Sequence, residues 1–296
     1  MKPILERLTD GEILVCDGAM GTLLQTRGLV PGECPELWCI THPAAVKAIH
    51  QSYREAGSDL VECNSFGGTR YKLAHFGLAD KAVEINRAAA ALAREVAGDR
   101  QYVLGSVGPT GAFMEPLGDE TEDAFFEAFR EQMVGLESGG ADMVVVETMT
   151  GVEEACVAIR AARAHTQLVV AASFTFDPKP DGGYATMMGV TPERAAQEAV
   201  TAGAHLVGAN CGTGSDHLVR VIARMKAAAP QAFLIAMPNA GMPVLEGGRT
   251  VFTETPEQMA AQAPRLVQAG AAIVGGCCGT GPEHIRAMKR AIQAGR

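Results

Sequence analysis

The sequence predicts a single α/β domain spanning residues 1–296, a (β/α)8 TIM barrel, from its strand pattern, an internal echo and its length. Eight short apolar runs rich in Val, Ile and Leu follow one another: Ile13–Cys16, Leu60–Cys63, Tyr102–Val107, Met143–Glu147, Leu168–Phe174, Leu206–Asn210, Phe233–Met237 and Ala272–Gly276. Each is too short for a helix and ends in polar or glycine-containing sequence, as strands of a buried parallel sheet do. Amphipathic stretches such as PAAVKAIHQSYREAG and TPERAAQEAVTAG lie between them. Thr191-Pro192-Glu193 and Thr255-Pro256-Glu257 supply a capping Thr, a Pro in the first turn and an acid at the positive end of the helix dipole.

The echo is a phrase of helix end, glycine and strand, in EAGSDLVECN, SGGADMVVVET, TAGAHLVGANC and QAGAAIVGGCC. It precedes the second, fourth, sixth and eighth runs, and its glycine suits a left-handed helix C-cap. Eight such units in 296 residues match the barrel, for which ~250 residues is typical. The rival, a doubly wound open sheet, lacks its G-x-G-x-x-G after the first strand.

Composition narrows the function. The chain is 47% hydrophobic and carries 34 acidic against 25 basic residues, a net charge of −9, with no basic run. This argues against nucleic acid or an anionic membrane surface as the partner. No apolar stretch approaches the ~20 residues of a membrane span, and MKPILERLTDGE lacks the apolar core of a signal peptide. The expectation is a cytoplasmic protein. Eight cysteines are too sparse for a disulfide scaffold, and Cys16, Cys34, Cys39 and Cys156 read as buried packing.

In a barrel the chemistry collects at the C-terminal strand ends. Those ends read Asp17-Gly18-Ala19, Cys63-Asn64, GSVGPTG, Glu147-Thr148, Asp177, Asn210-Cys211, Pro238-Asn239 and Cys277-Cys278. Cys211, Cys277 and Cys278 therefore share one face, with no histidine at these positions. Such a set suggests Zn2+ with an open fourth position; buried thiols or a redox pair are the alternatives. Both neighbouring cysteines can ligate only if the backbone turns between them, which Gly276 and Gly279 permit. Zinc carrying three thiolates is electron-rich and a poor generator of hydroxide, but it can hold a substrate thiol as a nucleophilic thiolate. Asp17 and Glu147 suit an ammonium group on that substrate and the Gly18–Ala19 backbone its carboxylate; helix capping or an internal ion pair is the plainer role for either acid.

The motifs DGAMGTLLQTRG, ECNSF, GSVGPTG, ETM, GANCG, PNAGMP and GGCCGTGPEHI occur in that order. Together they resemble the homocysteine S-methyltransferases over nearly the whole chain, and most of all the homocysteine-binding module of cobalamin-dependent methionine synthase. The resemblance implies methyl transfer to homocysteine giving methionine. It implies zinc on Cys211, Cys277 and Cys278, and homocysteine contacts from Asp17, Gly18, Ala19 and Glu147, with Asn64 beside them. Cys63 departs from the threonine usual in related sequences, which puts a further thiol on this face. The chain carries no folate or cobalamin module and no long C-terminal arm, so the acceptor half of the reaction is better defined than the donor half. The expected donor is methylcobalamin on a separate corrinoid protein. Small donors (S-methylmethionine or betaine), another thiol or selenol acceptor, and a homocysteine-binding module inert without partner domains are the competing readings.

Strand spacing adds one residue. Neighbouring strands lie ~4.8 Å apart, so a metal bridging the sixth and eighth sits over the end of the seventh. There Asn239 offers a neutral oxygen for the fourth position, displaced when substrate binds; its plainer role is to support the turn before Gly241.

Overall fold

The computed structural model describes residues 1–180, 182–212, 214–246 and 249–295. Its eight-stranded sheet comprises β1 (Leu14–Val15), β2 (Leu60–Glu62), β3 (Tyr102–Val107), β4 (Met143–Met149), β5 (Val169–Phe174), β6 (Leu206–Cys211), β7 (Phe233–Pro238) and β8 (Ala271–Val274). These are the eight expected runs. The strands pair in the order β1-β8-β7-β6-β5-β4-β3-β2, all parallel. The two ends of the sheet meet where the Asp59 N–H donates to Val15 O (2.6 Å) and the Val15 N–H to Asp59 Oδ2 (2.8 Å). The result is a nearly closed (β/α)8 barrel with helices outside.

Alternation along each strand divides the core in two. Leu14, Leu60, Tyr102, Leu104, Met143, Val145, Ala171, Leu206, Ile235 and Ile273 pack together inside the barrel. Their neighbours Val61, Val103, Val144, Val146, Val170, Val207, Leu234 and Val274 face the helices. An N-terminal helix, Ile4–Thr9, adds Ile4 and Leu8 to the inner cluster.

The echo has a backbone cause. Its glycines Gly57, Gly140, Gly203 and Gly270 have φ of 95°, 99°, 108° and 113°, the left-handed region that ends a helix and starts the next strand at little steric cost. Thr191 and Thr255 cap their helices as expected, the latter in a capping box with Gln258. Two antiparallel hairpins lie outside the sequence expectation: Asp177–Pro178 with Tyr184–Ala185, and Pro243–Glu246 with Arg249–Phe252. They occupy the loops after β5 and β7, too short and irregular in pattern to read as barrel strands.

One buried group limits stability. His50, on the inner side of the Pro43–Ala56 helix, is fully buried, and neither ring nitrogen has a partner among the described residues. Burial pushes its imidazole down from 6.5 to about 4. The unfolded chain takes up this proton first as pH falls, so stability is complete above about pH 6.5 and declines toward pH 4. The loss amounts to about 3 kcal/mol at 1.36 kcal/mol per pKa unit. Urea titrations across this range should show the decline, and His50→Leu should flatten it.

Candidate functional site

The inner core changes character at one layer. Two residues beyond Leu60, Leu104, Val145, Ala171 and Gly208, the same inward register brings Glu62, Ser106, Glu147, Ser173 and Asn210. Above this polar layer opens a cavity of about 370 Å³ whose wall includes Glu62, Ser106, Glu147, Cys211, Cys277 and Cys278. Glu36 also lines it, and among the described residues no Lys, Arg or His does.

The three thiols converge as expected. Cys211 closes β6, and Cys277 and Cys278 follow β8 in the turn before Gly279, whose φ is 79°. The Cys277 N–H donates to Pro238 O (2.8 Å) and the Ala240 N–H to Cys278 O (2.9 Å), so the end of β7 lies against the cysteine pair. Cys211 Sγ is 2.8 Å from Cys277 Sγ and 3.9 Å from Cys278 Sγ, and all three sulfurs lie within 4.8 Å of one another. Zinc at ~2.3 Å from each sulfur sets tetrahedral edges of about 3.8 Å. One separation matches that edge, and the other opens to it by about an ångström. This soft donor set fits zinc. Hydrogen bonds from Cys211 and Cys277 hold the Cys278 thiol down, to about 3, while the bonds to Cys211 and Cys278, together with burial, push Cys277 up.

Two acids, Glu62 and Glu147, form part of the same wall. The Ser106 hydroxyl donates to Glu147 Oε1, and Asn210 Nδ2 donates to Glu147 Oε2 at 2.9 Å. Glu62 has a buried Oε1 without a partner among the described residues. Burial pushes both carboxyls up, and the Glu147 charge adds to the effect on Glu62. The pocket is thus acidic, with no cation among the described residues of its wall.

Asp17 stands one layer behind this wall. Its Oδ2 accepts the Glu62 N–H (2.9 Å) and its Oδ1 the Cys16 thiol (3.4 Å), and burial raises its carboxyl to about 7. Gly18 and Ala19 line the cavity, but the Ala19 N–H already donates to Thr280 Oγ1 at 3.1 Å. Gly18 has to be glycine, because a Cβ there would come within 2.5 Å of Thr280 Oγ1 and 3.0 Å of Tyr53 Oη. Asn64 is in the wall, yet its Nδ2 is committed to Pro35 O at 2.7 Å. Cys63 is a buried part of the wall that does not join the three-thiol cluster. Asn239 is buried; its Nδ2 donates to Gly212 O (3.0 Å) and its Oδ1 has no partner among the described residues. Glu62, Ser106, Ser173 and Asn210 were not expected as site residues, although strand parity marks all four.

The homocysteine S-methyltransferase family model matches residues 14–292. The chain belongs to this family. Among curated homocysteine S-methyltransferase relatives, methionine synthase of Mycobacterium leprae (strain TN) is 34% identical over 312 residues, covering 98% of this chain and 25% of that protein. Methionine synthase of Mycobacterium tuberculosis (strain ATCC 25618 / H37Rv) is 34% identical over 303 residues, covering 95% and 24%. The chain thus spans about a quarter of the length of these relatives. The metallated form of the homocysteine methyltransferase MmuM from Escherichia coli shares the fold, with a TM-score of 0.80 at 23% identity and coverage of 98% and 99% of the two chains. A methyltransferase from Methanosarcina mazei shares it at a TM-score of 0.62 and 10% identity, covering 98% and 97%.

Replacing Cys211, Cys277 or Cys278 with Ala should abolish stoichiometric zinc, measured by mass spectrometry of the purified chain, and leave the circular dichroism of the barrel intact. The sulfurs sit at the top of the apolar layer that holds the strands together, and Cys277 alone of the three packs against it, so their loss removes ligands and little core packing.

Proposed function

We propose that the chain transfers a methyl group to the thiol of homocysteine, giving methionine, with zinc held by Cys211, Cys277 and Cys278. The observation that carries this reading is the convergence of three sulfurs in the wall of an acidic cavity, with no cation among the described residues that line it. That cavity is complementary to a molecule with a thiol at one end and an ammonium at the other. Zinc bound there lowers the pKa of an incoming thiol and keeps it as thiolate near neutral pH. Asn239, with its unpartnered Oδ1, is the residue that completes the ligand set in the resting state.

The remaining work falls to the chain's own groups. Glu147, with both oxygens anchored, receives the substrate ammonium, and Glu62 faces the same space. Asp17 fixes Glu62 through its backbone, and the turn at Gly18 and Ala19 sits where the substrate carboxylate enters. Asn64 holds the loop wall beside it. The bound sulfur then attacks the donor's methyl carbon: the sulfur–methyl bond forms as the donor's bond to that carbon breaks, and the donor keeps the electron pair.

The donor in this reading is methylcobalamin carried by a corrinoid protein. Phe113, Leu117, Met187, Met242 and Leu245 are exposed on loops that follow β3, β5 and β7, at the end of the barrel where the three sulfurs lie. Exposed apolar side chains on the loops at that end favour a docking macromolecule over a small polar donor. The curated relatives, about four times as long, have room for such a unit in the same chain.

Zinc-loaded protein should form methionine from L-homocysteine with methylcobalamin, free or on a corrinoid protein. Turnover with S-methylmethionine or betaine alone would replace that donor, and binding without turnover under every condition would leave a homocysteine-binding module. Methylation of other thiols or selenols in preference to homocysteine would replace the acceptor.

Glu147→Gln should raise KM for homocysteine about 10- to 100-fold while zinc content stays unchanged. The change removes a charge-assisted bond of ~1.5–3 kcal/mol. An unaltered KM would rule out the ammonium role.

A further inference from the structure

Asn210 is fully buried and does not line the cavity, yet its side chain touches each functional part of the site. Its Oδ1 accepts the Thr148 N–H at 2.9 Å and the Ser173 hydroxyl at 2.7 Å. Its Nδ2 donates to Glu147 Oε2 at 2.9 Å and Thr148 Oγ1 at 2.7 Å, with Cys277 Sγ at 3.8 Å. The backbone N–H of Thr148 can only donate, which fixes the amide orientation. Thr148 has φ of 57°, a strained conformation for a β-branched residue, and two of these bonds hold it there. The next residue, Cys211, carries the same left-handed φ of 57°.

One amide nitrogen, held by this network, therefore contacts both the Glu147 carboxylate and the sulfur cluster. We propose that Asn210 is a positioning residue that sets the distance between the ammonium subsite and the sulfur subsite, and thereby selects amino-acid thiols of the right length. This inference rests on the acceptor reading above. An acceptor lacking the ammonium does not use Glu147, so disturbing Asn210 should weaken homocysteine and spare its amine-free analogue, γ-mercaptobutyrate. A merely structural role would weaken both together.

The test is calorimetric binding of both thiols to the zinc-loaded full chain, its Asn210→Ser variant and its Ser173→Ala variant, with zinc content measured alongside. Ser173→Ala removes the hydroxyl that steadies Oδ1 and leaves Asn210 in place. The preference for homocysteine over γ-mercaptobutyrate should narrow about tenfold in Asn210→Ser and about threefold in Ser173→Ala, the scale of one hydrogen bond lost or loosened. Zinc should stay stoichiometric in both. If Asn210→Ser does not fold, Ser173→Ala decides alone. An unchanged preference, or equal weakening of the two thiols, would overturn the inference, as would loss of zinc from Asn210→Ser. Failure of the unaltered protein to bind homocysteine would instead defeat the acceptor reading itself.

Discussion

The site depends on the inward register of the barrel. Side chains alternate along a strand, so every second residue enters the barrel and successive inward residues stack in layers. Below the cavity those layers are Leu, Val, Ile, Met and Ala; one step higher they become Glu62, Ser106, Glu147, Ser173 and Asn210. Polar groups at that depth need partners, since each unpaired buried donor or acceptor costs ~1–3 kcal/mol. They supply most of these to one another, through Ser106 to Glu147, Glu147 to Asn210 and Asn210 to Ser173. The bonds that make the layer tolerable to the fold also orient its functional oxygens.

The eight strands and the three cysteines were legible because their signals are local. An apolar run with a glycine before it can be read from a few residues, and Cys211, Cys277 and Cys278 stand at the ends of such runs. Glu62 and Ser106 were less visible because each stands one residue inside the end of its run, and Asn210 because the cysteine beside it carries the stronger signal. Counting parity from Leu60, Leu104 and Gly208 would have found all three. Asp17 is a different case. Its place after β1 suggests a substrate contact, and the structure adds a partner set by tertiary packing, the Glu62 N–H. Asn64 likewise reads as a wall residue from its position and spends its amide on Pro35. The two hairpins carry no strong pattern and draw their pairing from the loops that hold them.

Conformational strain gathers where the chemistry is. Among the described residues Thr148 and Cys211 are the non-glycine residues with positive φ, the first next to the end of β4 and the second at the end of β6. Left-handed backbone at such residues persists only when its surroundings hold it. For Thr148 those surroundings are the two bonds to Asn210. At Cys211 the conformation turns the last residue of β6 so that its sulfur meets Cys277, two strands away, across the end of β7. A relaxed, extended residue would continue the strand and direct the sulfur along the alternation of the sheet.

Recognition is divided by height in the barrel. The inward layer and Cys211 are built on strands, and Cys277 and Cys278 on the turn after β8, whose Thr280 O lies 3.1 Å from the hydroxyl of Tyr53, which also bonds Ala19 O at 2.9 Å. That bracing suits the proposed site, where a thiol and an ammonium would be held at a fixed spacing. The exposed apolar side chains sit on the loops and hairpins above, where substitution costs the core little. Under the proposed function, changes of methyl donor would fall on the loops and changes of acceptor on the inward layer. The two could then vary independently, because the loops carry the exposed apolar groups and the strands the hydrogen-bonded polar ones.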